Sequence, residues 1–363
     1  MLRPLAKTVL ASGLRFCAAD AWIGALSGAR GLPLIIGYHR VVEDVRARAG
    51  HEMPGMVVSR AMLERHLDWI GRRFRFVSLD EVGTRLEAGD SAERPVAAVT
   101  FDDGYADVYE NAFPLLVSKG IPAAVFVVTD LVGTGRPQLH DYLYLLLARM
   151  FAKAKAPEHA LLALLRSLAL PLPPGEARRA FSRGLFPAFR ILMERSSQSD
   201  LRSLALALEG DLGQNHGDLA ELRPLAWDAL ARMSAAGFTV GSHGKTHARL
   251  TQESAKGMRN ELLRSRVELE RRLGVSVNHF AYPDGDFDLA SVAAVAAAGY
   301  RFAYTICTHR EPAHPILTIP RRMLWEGSCV DSFGRFSDAV MSCQVNGVFD
   351  LVSGCARKHA RAA

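Results

Sequence analysis

The 363-residue sequence predicts an α/β fold, a parallel sheet covered by helices and closed or nearly closed into a barrel, with a helical insertion at about residues 131–223. Three observations lead there. Short apolar runs rich in β-branched residues alternate with amphipathic stretches of helical period on both sides of the insertion. Most of those helical stretches stop at a glycine (Gly89, Gly120, Gly237, Gly274, Gly299), the residue that most easily takes the left-handed conformation ending a helix. Titratable residues follow four separate strands at their C-terminal ends, where parallel α/β folds gather ligands and catalytic groups.

The length fits one barrel with insertions, and 49% hydrophobic with 23% charged residues suits a chain that buries a real core. The net charge is +6, with arginines scattered along the chain rather than massed, and no nucleic-acid motif is present. Nucleic acid is therefore not expected as a partner. The five cysteines, Cys17, Cys307, Cys329, Cys343 and Cys355, are odd in number and include no C-x-x-C pair, so reduced thiols are expected.

Residues 1–30 read as an amphipathic helix region, with Leu2, Leu5, Val9, Leu10, Leu14 and Phe16 on or near one side. Arg15 and Asp20 interrupt the apolar stretch, so neither an export signal nor a membrane span is expected. The corresponding expectation is a cytoplasmic protein whose first helix packs on its own domain. Peripheral contact with a membrane is the lesser expectation. Residues 31–330 form the barrel with its insertion, and 331–363 a tail.

Leu32 to His39 is a first buried strand with His39 at its end. Ser59 caps a helix that runs to Phe74, Phe76 to Leu79 is a brief strand, and Asp80 starts a short helix. Val96 to Phe101 is the next strand. Asp107 to Lys119 is helical with a kink or break at Pro114, and Ile121 to Val128 follows as a strand. The insertion is rich in Ala, Leu and Arg, carries no strand signal, and is a poor place to look for chemistry, although His140-Asp141 at its start could border a site. Alternation resumes with strands at Phe238 to His243, Asn278 to Pro283, Phe302 to Ile306 and Ile316 to Ile319, separated by helices at Ser254 to Leu273 and Ala290 to Ala298.

Thr100-Phe101-Asp102-Asp103-Gly104-Tyr105 places two adjacent carboxylates at a strand end. Such neighbours repel, so their pKa values split or a cation comes between them; the plainer alternative is an Asp that caps the next helix. His243 and His247 are four residues apart, a spacing that puts both on one face of a helical turn. Two imidazoles and one carboxylate bind a divalent metal while leaving room for water, and the second carboxylate can then act as a base. Exposed loop histidines without a ligand are the plainer alternative for that pair.

These stretches resemble the motifs of the polysaccharide deacetylase family, the NodB-homology or carbohydrate esterase family 4 domain. Thr100 to Tyr105 is similar to the first motif, Ser242-His243 through His247-Ala248-Arg249-Leu250 to the second, and Phe280 to Gly285 to the third. Tyr38-His39-Arg40-Val41 is similar to the opening strand of bacterial members linked to exopolysaccharide synthesis. The resemblance implies an irregular (β/α) barrel of the NodB type and hydrolysis of N-acetyl, or O-acetyl, groups on a glycan. It implies Asp102 as general base and Asp103, His243 and His247 as ligands of zinc, or of another divalent metal such as cobalt or nickel. His39, Tyr282, Pro283 and Asp284 would border the substrate, with a backbone N–H near Asp284 helping to hold the oxyanion. The sequence departs from the pattern at Ala281, where many members carry an Arg that orients the base; Arg321 or Arg322 is expected to stand in. Asp284 replaces a Tyr, and no clear Leu-x-His motif supplies a general acid, which leaves His309 and His314 as candidates, His314 being taken for the role. A glycan-binding homologue with weak or no turnover is the alternative reading, and a non-haem Fe(II) oxygenase a remote one.

Overall fold

All six residues of Val96–Phe101 are buried. Side chains alternate between the faces of a strand, so burial at every position means that both faces are covered. The computed structural model describes residues 2–26, 32–45, 53–89, 95–170, 172–213 and 219–352. Its strands are β1 (Leu34–Tyr38), β2 (Arg40–Val42), β3 (Val57–Ser59), β4 (Arg75–Phe76), β5 (Val96–Phe101), β6 (Ala123–Val127), β7 (Thr239–Ser242), β8 (His279–Ala281), β9 (Phe302–Thr305), β10 (Ile319–Pro320) and β11 (Arg322–Met323).

Nine of these strands form one sheet in the order β10-β9-β8-β7-β6-β5-β1-β11, with β4 paired to β5. Every pairing is parallel. The two ends of that order, β10 and β11, are separated in the chain by Arg321 alone. The sheet therefore curls until its edges nearly meet, an irregular α/β barrel. Its two faces feed two apolar clusters. Ile35, Ala98, Phe126, Ala281 and Tyr304 belong to the smaller one, whereas Ile36, Val99, Val125, Phe280 and Ala303 belong to the larger.

Local signals place most elements. Ser59 accepts a hydrogen bond from the N–H of Met62 and starts the helix Arg60–Gly71. Ser78, not Asp80, caps the helix Leu79–Ala88 by accepting from Glu81. The chain breaks at Pro114 as expected: a π-helical turn at Val108–Ala112 gives way to the helix Phe113–Ser118, where the proline sits in the first turn and needs no N–H partner. Residues 316–319 do not form one strand; a 3-10 turn at Pro315–Leu317 precedes β10. The β2–β3 ladder has no counterpart among the sequence expectations.

Between β6 and β7 the helices Leu139–Lys153, Pro157–Ser167, Pro174–Phe181, Leu185–Arg195 and Gln198–Leu212 surround an apolar core of their own, built from residues such as Leu147, Leu165, Phe181, Leu192 and Leu204. The first thirty residues hold two helices, Leu2–Phe16 and Ala19–Leu26, instead of one. The stretch after residue 331 is more than a tail, since helix Asp338–Val345 packs against Leu2–Phe16. No single described helix is long and apolar enough to cross a membrane. Cys329 and Cys343 are buried thiols and Cys17 an exposed one, but Cys307 is disulfide-bonded, which corrects the expectation of reduced thiols there. Cys355 lies outside the described residues.

Helix Leu79–Ala88 approaches the sheet so closely that a Cβ on Gly83 would lie 2.4 Å from the Phe302 ring. Gly83→Val adds a few tenths of a kcal/mol of helix propensity. It overpacks a buried contact at a cost of about 1–3 kcal/mol. The overpacking dominates, so a fall of several degrees in Tm is expected by calorimetry; an unchanged or higher Tm would show that the helix can shift away.

Candidate active site

The ladder of β5 runs one residue past the strand, as the N–H of Asp102 donates to Tyr38 O at 2.9 Å. The chain then turns through Asp103 and Gly104, both with left-handed backbone (φ 69° and 68°). Asp is among the few side chains that tolerate that region, and at Gly104 a Cβ would come 2.8 Å from Val127 Cγ1. This turn brings two consecutive carboxylates to one cavity.

His243 directly follows β7, with its N–H donating to Val127 O at 2.9 Å. Its Nδ1 lies 2.8 Å from Ala281 O, a carbonyl, so Nδ1 carries the proton and Nε2 presents its lone pair. The expected helical turn between His243 and His247 is absent: the segment is a loop, and His247 has a φ of 64°. Glu261 on the following helix, Ala255–Leu273, holds the loop, accepting from Lys245 N at 2.9 Å, Thr246 N at 2.8 Å and Thr246 Oγ1 at 2.9 Å.

Asp103 Oδ1 sits 3.2 Å from His247 Nε2 and 3.6 Å from His243 Nε2, and one donor atom from each residue falls within 4.8 Å of the others. All three residues are buried, and Asp103 Oδ1 has no hydrogen-bond partner. An orphaned carboxylate oxygen facing two imidazole nitrogens suits a divalent cation. The electrostatics agree. Burial, then the carboxylates of Asp102, Asp141 and Asp284, push Asp103 well above the usual range. Burial lowers His243 to about 3, and burial with His140 lowers His247 well below an ordinary imidazole, so both are neutral donors at physiological pH.

Asp102 is engaged differently. Arg321, between β10 and β11, forms a two-pronged pair with it, Nη1 to Oδ1 at 2.6 Å and Nη2 to Oδ2 at 2.7 Å, with both side chains buried. Nη1 also donates to Thr100 Oγ1 at 3.1 Å, and the guanidinium lies over the Phe126 ring. Burial raises the Asp102 pKa, but the charge of Arg321, helped by His243, outweighs it and holds the carboxyl at about 2. Of the two arginines proposed to stand in for Ala281, the geometry selects Arg321; Arg322 pairs with Asp350 instead.

A cavity of about 740 Å³ opens over these groups, lined by His39, Asp102, Asp103, His140, His243, His247 and Asp284 among others. His39 and Asp284, expected to border the substrate, line this cavity. Tyr282 and Pro283 do not. The Tyr282 ring is packed in the core with its hydroxyl donating to Leu317 O at 3.1 Å, and Pro283 is a buried first residue of a 3-10 turn. Strand alternation sends Tyr282 to the face away from the cavity. His314 is exposed at the start of another 3-10 turn and does not line the cavity, so it is no candidate acid here. His309 stacks on Phe287 and does not line it either.

The helical insertion contributes what the sequence reading discounted. Gln138 Nε2 donates to Asp103 O at 2.8 Å. His140 Nε2 lies 3.7 Å from Asp103 Oδ2, and its ring is 4.8 Å from that of His247. The Tyr105 hydroxyl donates to Asp141 Oδ2 at 2.6 Å and bonds His140 Nε2 at 3.1 Å. Phe186, Phe189, Arg190 and Met193 extend the cavity wall. The one signal for this in the sequence is the polar His140-Asp141 pair at the head of an apolar helix.

A family profile described as "Polysaccharide deacetylase" matches residues 89–182 and 201–303, parts of both halves of the barrel and much of the insertion. The chain belongs to the polysaccharide deacetylase family. Over 108 residues it is 30% identical to the poly-beta-1,6-N-acetyl-D-glucosamine N-deacetylase of Staphylococcus aureus, a stretch covering 28% of this chain and 37% of that one. The match thus spans well under half the length of the curated relatives it aligns with. Among solved structures, the Streptococcus pyogenes deacetylase PplD in complex with acetate superposes with a TM-score of 0.51 at 17% identity, covering 82% of this chain and 93% of that one. IcaB from Ammonifex degensii gives 0.51 at 16%, covering 86% and 96%. At these identities the likeness is one of fold: the same nearly closed parallel barrel.

Arg321→Gln removes the only guanidinium paired with Asp102 among the described residues. The Asp102 pKa, now about 2, is then expected to rise, so the acidic limb of any pH–rate profile moves to higher pH and the rate falls by about 10²-fold or more. A profile that keeps its acidic limb would remove Arg321 from this role.

Proposed function

We propose that the protein hydrolyses N-acetyl groups from an N-acetylhexosamine-containing polysaccharide, releasing acetate and leaving free amines on the glycan. One observation carries the reading: Asp103, His243 and His247 converge within 4.8 Å beside a buried, ionised Asp102 in a single cavity. Family membership and the name of the S. aureus relative support it. Binding alone needs neither an orphaned ligand set nor a base held ionised by an arginine, which argues against a non-catalytic glycan binder. An Fe(II) oxygenase reading has no support from the fold.

Asp103, His243 and His247 would hold zinc, or cobalt or nickel, and the ion would supply Lewis acidity toward the acetyl carbonyl and a water of lowered pKa. Asp102 accepts a proton from the attacking water, and Arg321 keeps that carboxylate ionised and oriented. The amide C–N bond breaks, and the departing nitrogen takes up a proton. His39 and His140 are the imidazoles that line the cavity outside the ligand set; burial lowers the pKa of both, so either would relay the proton taken up by Asp102 and not hold one beforehand. The wall from the insertion, with Trp325 and Met53, gives the glycan apolar surface to lie against.

The reading is tested with metal-loaded protein and β-1,6-linked N-acetylglucosamine oligomers, following acetate by a coupled assay. Asp102→Asn is expected to lose about 10²–10⁴-fold in rate with metal content retained. His243→Ala is expected to lose bound metal by plasma mass spectrometry. Equal acetate release from Asp102→Asn, or unchanged metal in His243→Ala, would overturn the respective assignment.

A further inference from the structure

Helix Leu2–Phe16 docks on the body through one face and shows apolar residues on the other. Lys7, Ala11 and Leu14, spaced four and three apart, form the docked face. Lys7 Nζ donates to Ser328 O at 2.9 Å, Ala11 is fully buried, and both Ala11 and Leu14 pack in a cluster with Val340 and Cys343. Leu5, Val9 and Phe16, spaced four and seven apart, form the opposite face and are 51%, 63% and 96% exposed. Leu10, 55% exposed, flanks them. The side chain of Leu2 lies outside the described residues.

The second helix, Ala19–Leu26, repeats the arrangement. Asp20 and Gly24 face the body. The Asp20 carboxylate accepts from Ser342 Oγ and from Asn346 Nδ2, and a Cβ on Gly24 would come 2.6 Å from Asn346 Oδ1. Trp22 and Leu26, four apart, are 71% and 85% exposed. The two helices meet at an 86° bend, so their exposed side chains together form a bent apolar surface.

Three arginines, Arg15, Arg72 and Arg73, and one exposed carboxylate, Asp338, lie near the end of the first helix. Asp20, the only acidic residue of the two helices, is buried. Exposed Arg15 lies within electrostatic reach of Arg73, which also neighbours Arg72; burial and these two like charges lower the Arg73 pKa against the opposing pull of Asp338. Arg73 is fixed there by stacking over Trp69 and donating to Trp69 O at 2.9 Å. A surface-lying apolar face with Trp and Phe, flanked by arginines, matches the chemistry of an interfacial membrane helix.

We infer that the N-terminal helix pair docks the protein on an anionic lipid bilayer, with Leu5, Val9, Phe16, Trp22 and Leu26 entering the interface and Arg15, Arg72 and Arg73 meeting lipid phosphates. Docking of this kind holds the barrel at the membrane surface. It depends on no step of the deacetylation, and the two readings stand or fall separately.

The test uses the full chain and co-sedimentation with vesicles of phosphatidylcholine alone or mixed with phosphatidylglycerol. Binding is expected on the mixed vesicles, reduced at high salt, and weak on phosphatidylcholine. Phe16→Ser with Trp22→Ser is expected to weaken it by about tenfold per side chain, with circular dichroism melting unchanged because both side chains are exposed. Arg72→Glu with Arg15→Glu leaves the apolar face intact and is expected to remove the preference for the anionic vesicles. Wild-type protein that stays in solution with mixed vesicles overturns the inference. So does equal binding by the Ser variant, or a dimer seen by light scattering that the Ser variant abolishes while vesicle binding is absent.

Discussion

The pair between Arg321 and Asp102 is the contact on which barrel and site both depend. Removing a guanidinium and a carboxylate from water costs several kcal/mol for each ion, and only close, multiply bonded geometry offsets it. Here the geometry is two parallel bonds of 2.6 and 2.7 Å, with Thr100 and Phe126 covering the arginine. Arg321 reaches that place because it sits between the two strands at opposite edges of the sheet. Closing the barrel and orienting Asp102 are thus one event. A slip of one residue at that seam would send Arg321 to the other side, where Arg322 now meets Asp350.

Around that pair the site carries more negative charge than its own cations balance. Asp102, Asp103 and Asp284 line one cavity, and Asp141 lies within electrostatic reach of Asp103. Arg321 answers Asp102, Arg249 lies 3.6 Å from Asp284, and the Tyr105 hydroxyl serves Asp141. Asp103 has two neutral imidazoles and no arginine, and its pKa is displaced upward in consequence. A divalent cation would reverse that displacement, because the ion's charge favours the ionised carboxylate that burial and the other three disfavour. The same residues that look strained as bare side chains are those that fit a metal.

The barrel was legible because its evidence is local. Apolar runs and capping residues report on their own segments, and His39, Asp102, His243 and Asp284 stood out as titratable groups where those runs stopped. What failed to be legible depends on distant partners. His243 and His247 are brought together by a loop that Glu261 holds from the next helix, and no spacing rule shows a carboxylate acting across that distance. Tyr282 lies two residues before the cavity-lining Asp284 yet faces the core, because it continues the outward face set by Phe280 two residues earlier. Choosing between Arg321 and Arg322 required knowing how the sheet closes.

The insertion shows why composition misleads about function. Its Ala- and Leu-rich helices carry no motif, yet they fasten both loops that present the ligand set. Gln138, just before the first insertion helix, donates to the carbonyl of Asp103, and Gln198, at the start of the last, donates to the carbonyl of Thr246 beside His247. Arg249 closes the same side by donating to Met193 O at 3.1 Å. In the two glutamine contacts the loop offers a backbone carbonyl, which any residue would provide, so at those points the loops bear no mark of being held. There the specificity lies in Gln138 and Gln198, so the positions of Asp103 and Thr246 are set in part from a segment whose own core contains no chemistry. The turn at Asp103 is thus braced from the insertion, and the loop at His247 from both sides, by Gln198 of the insertion and by Glu261 of the barrel.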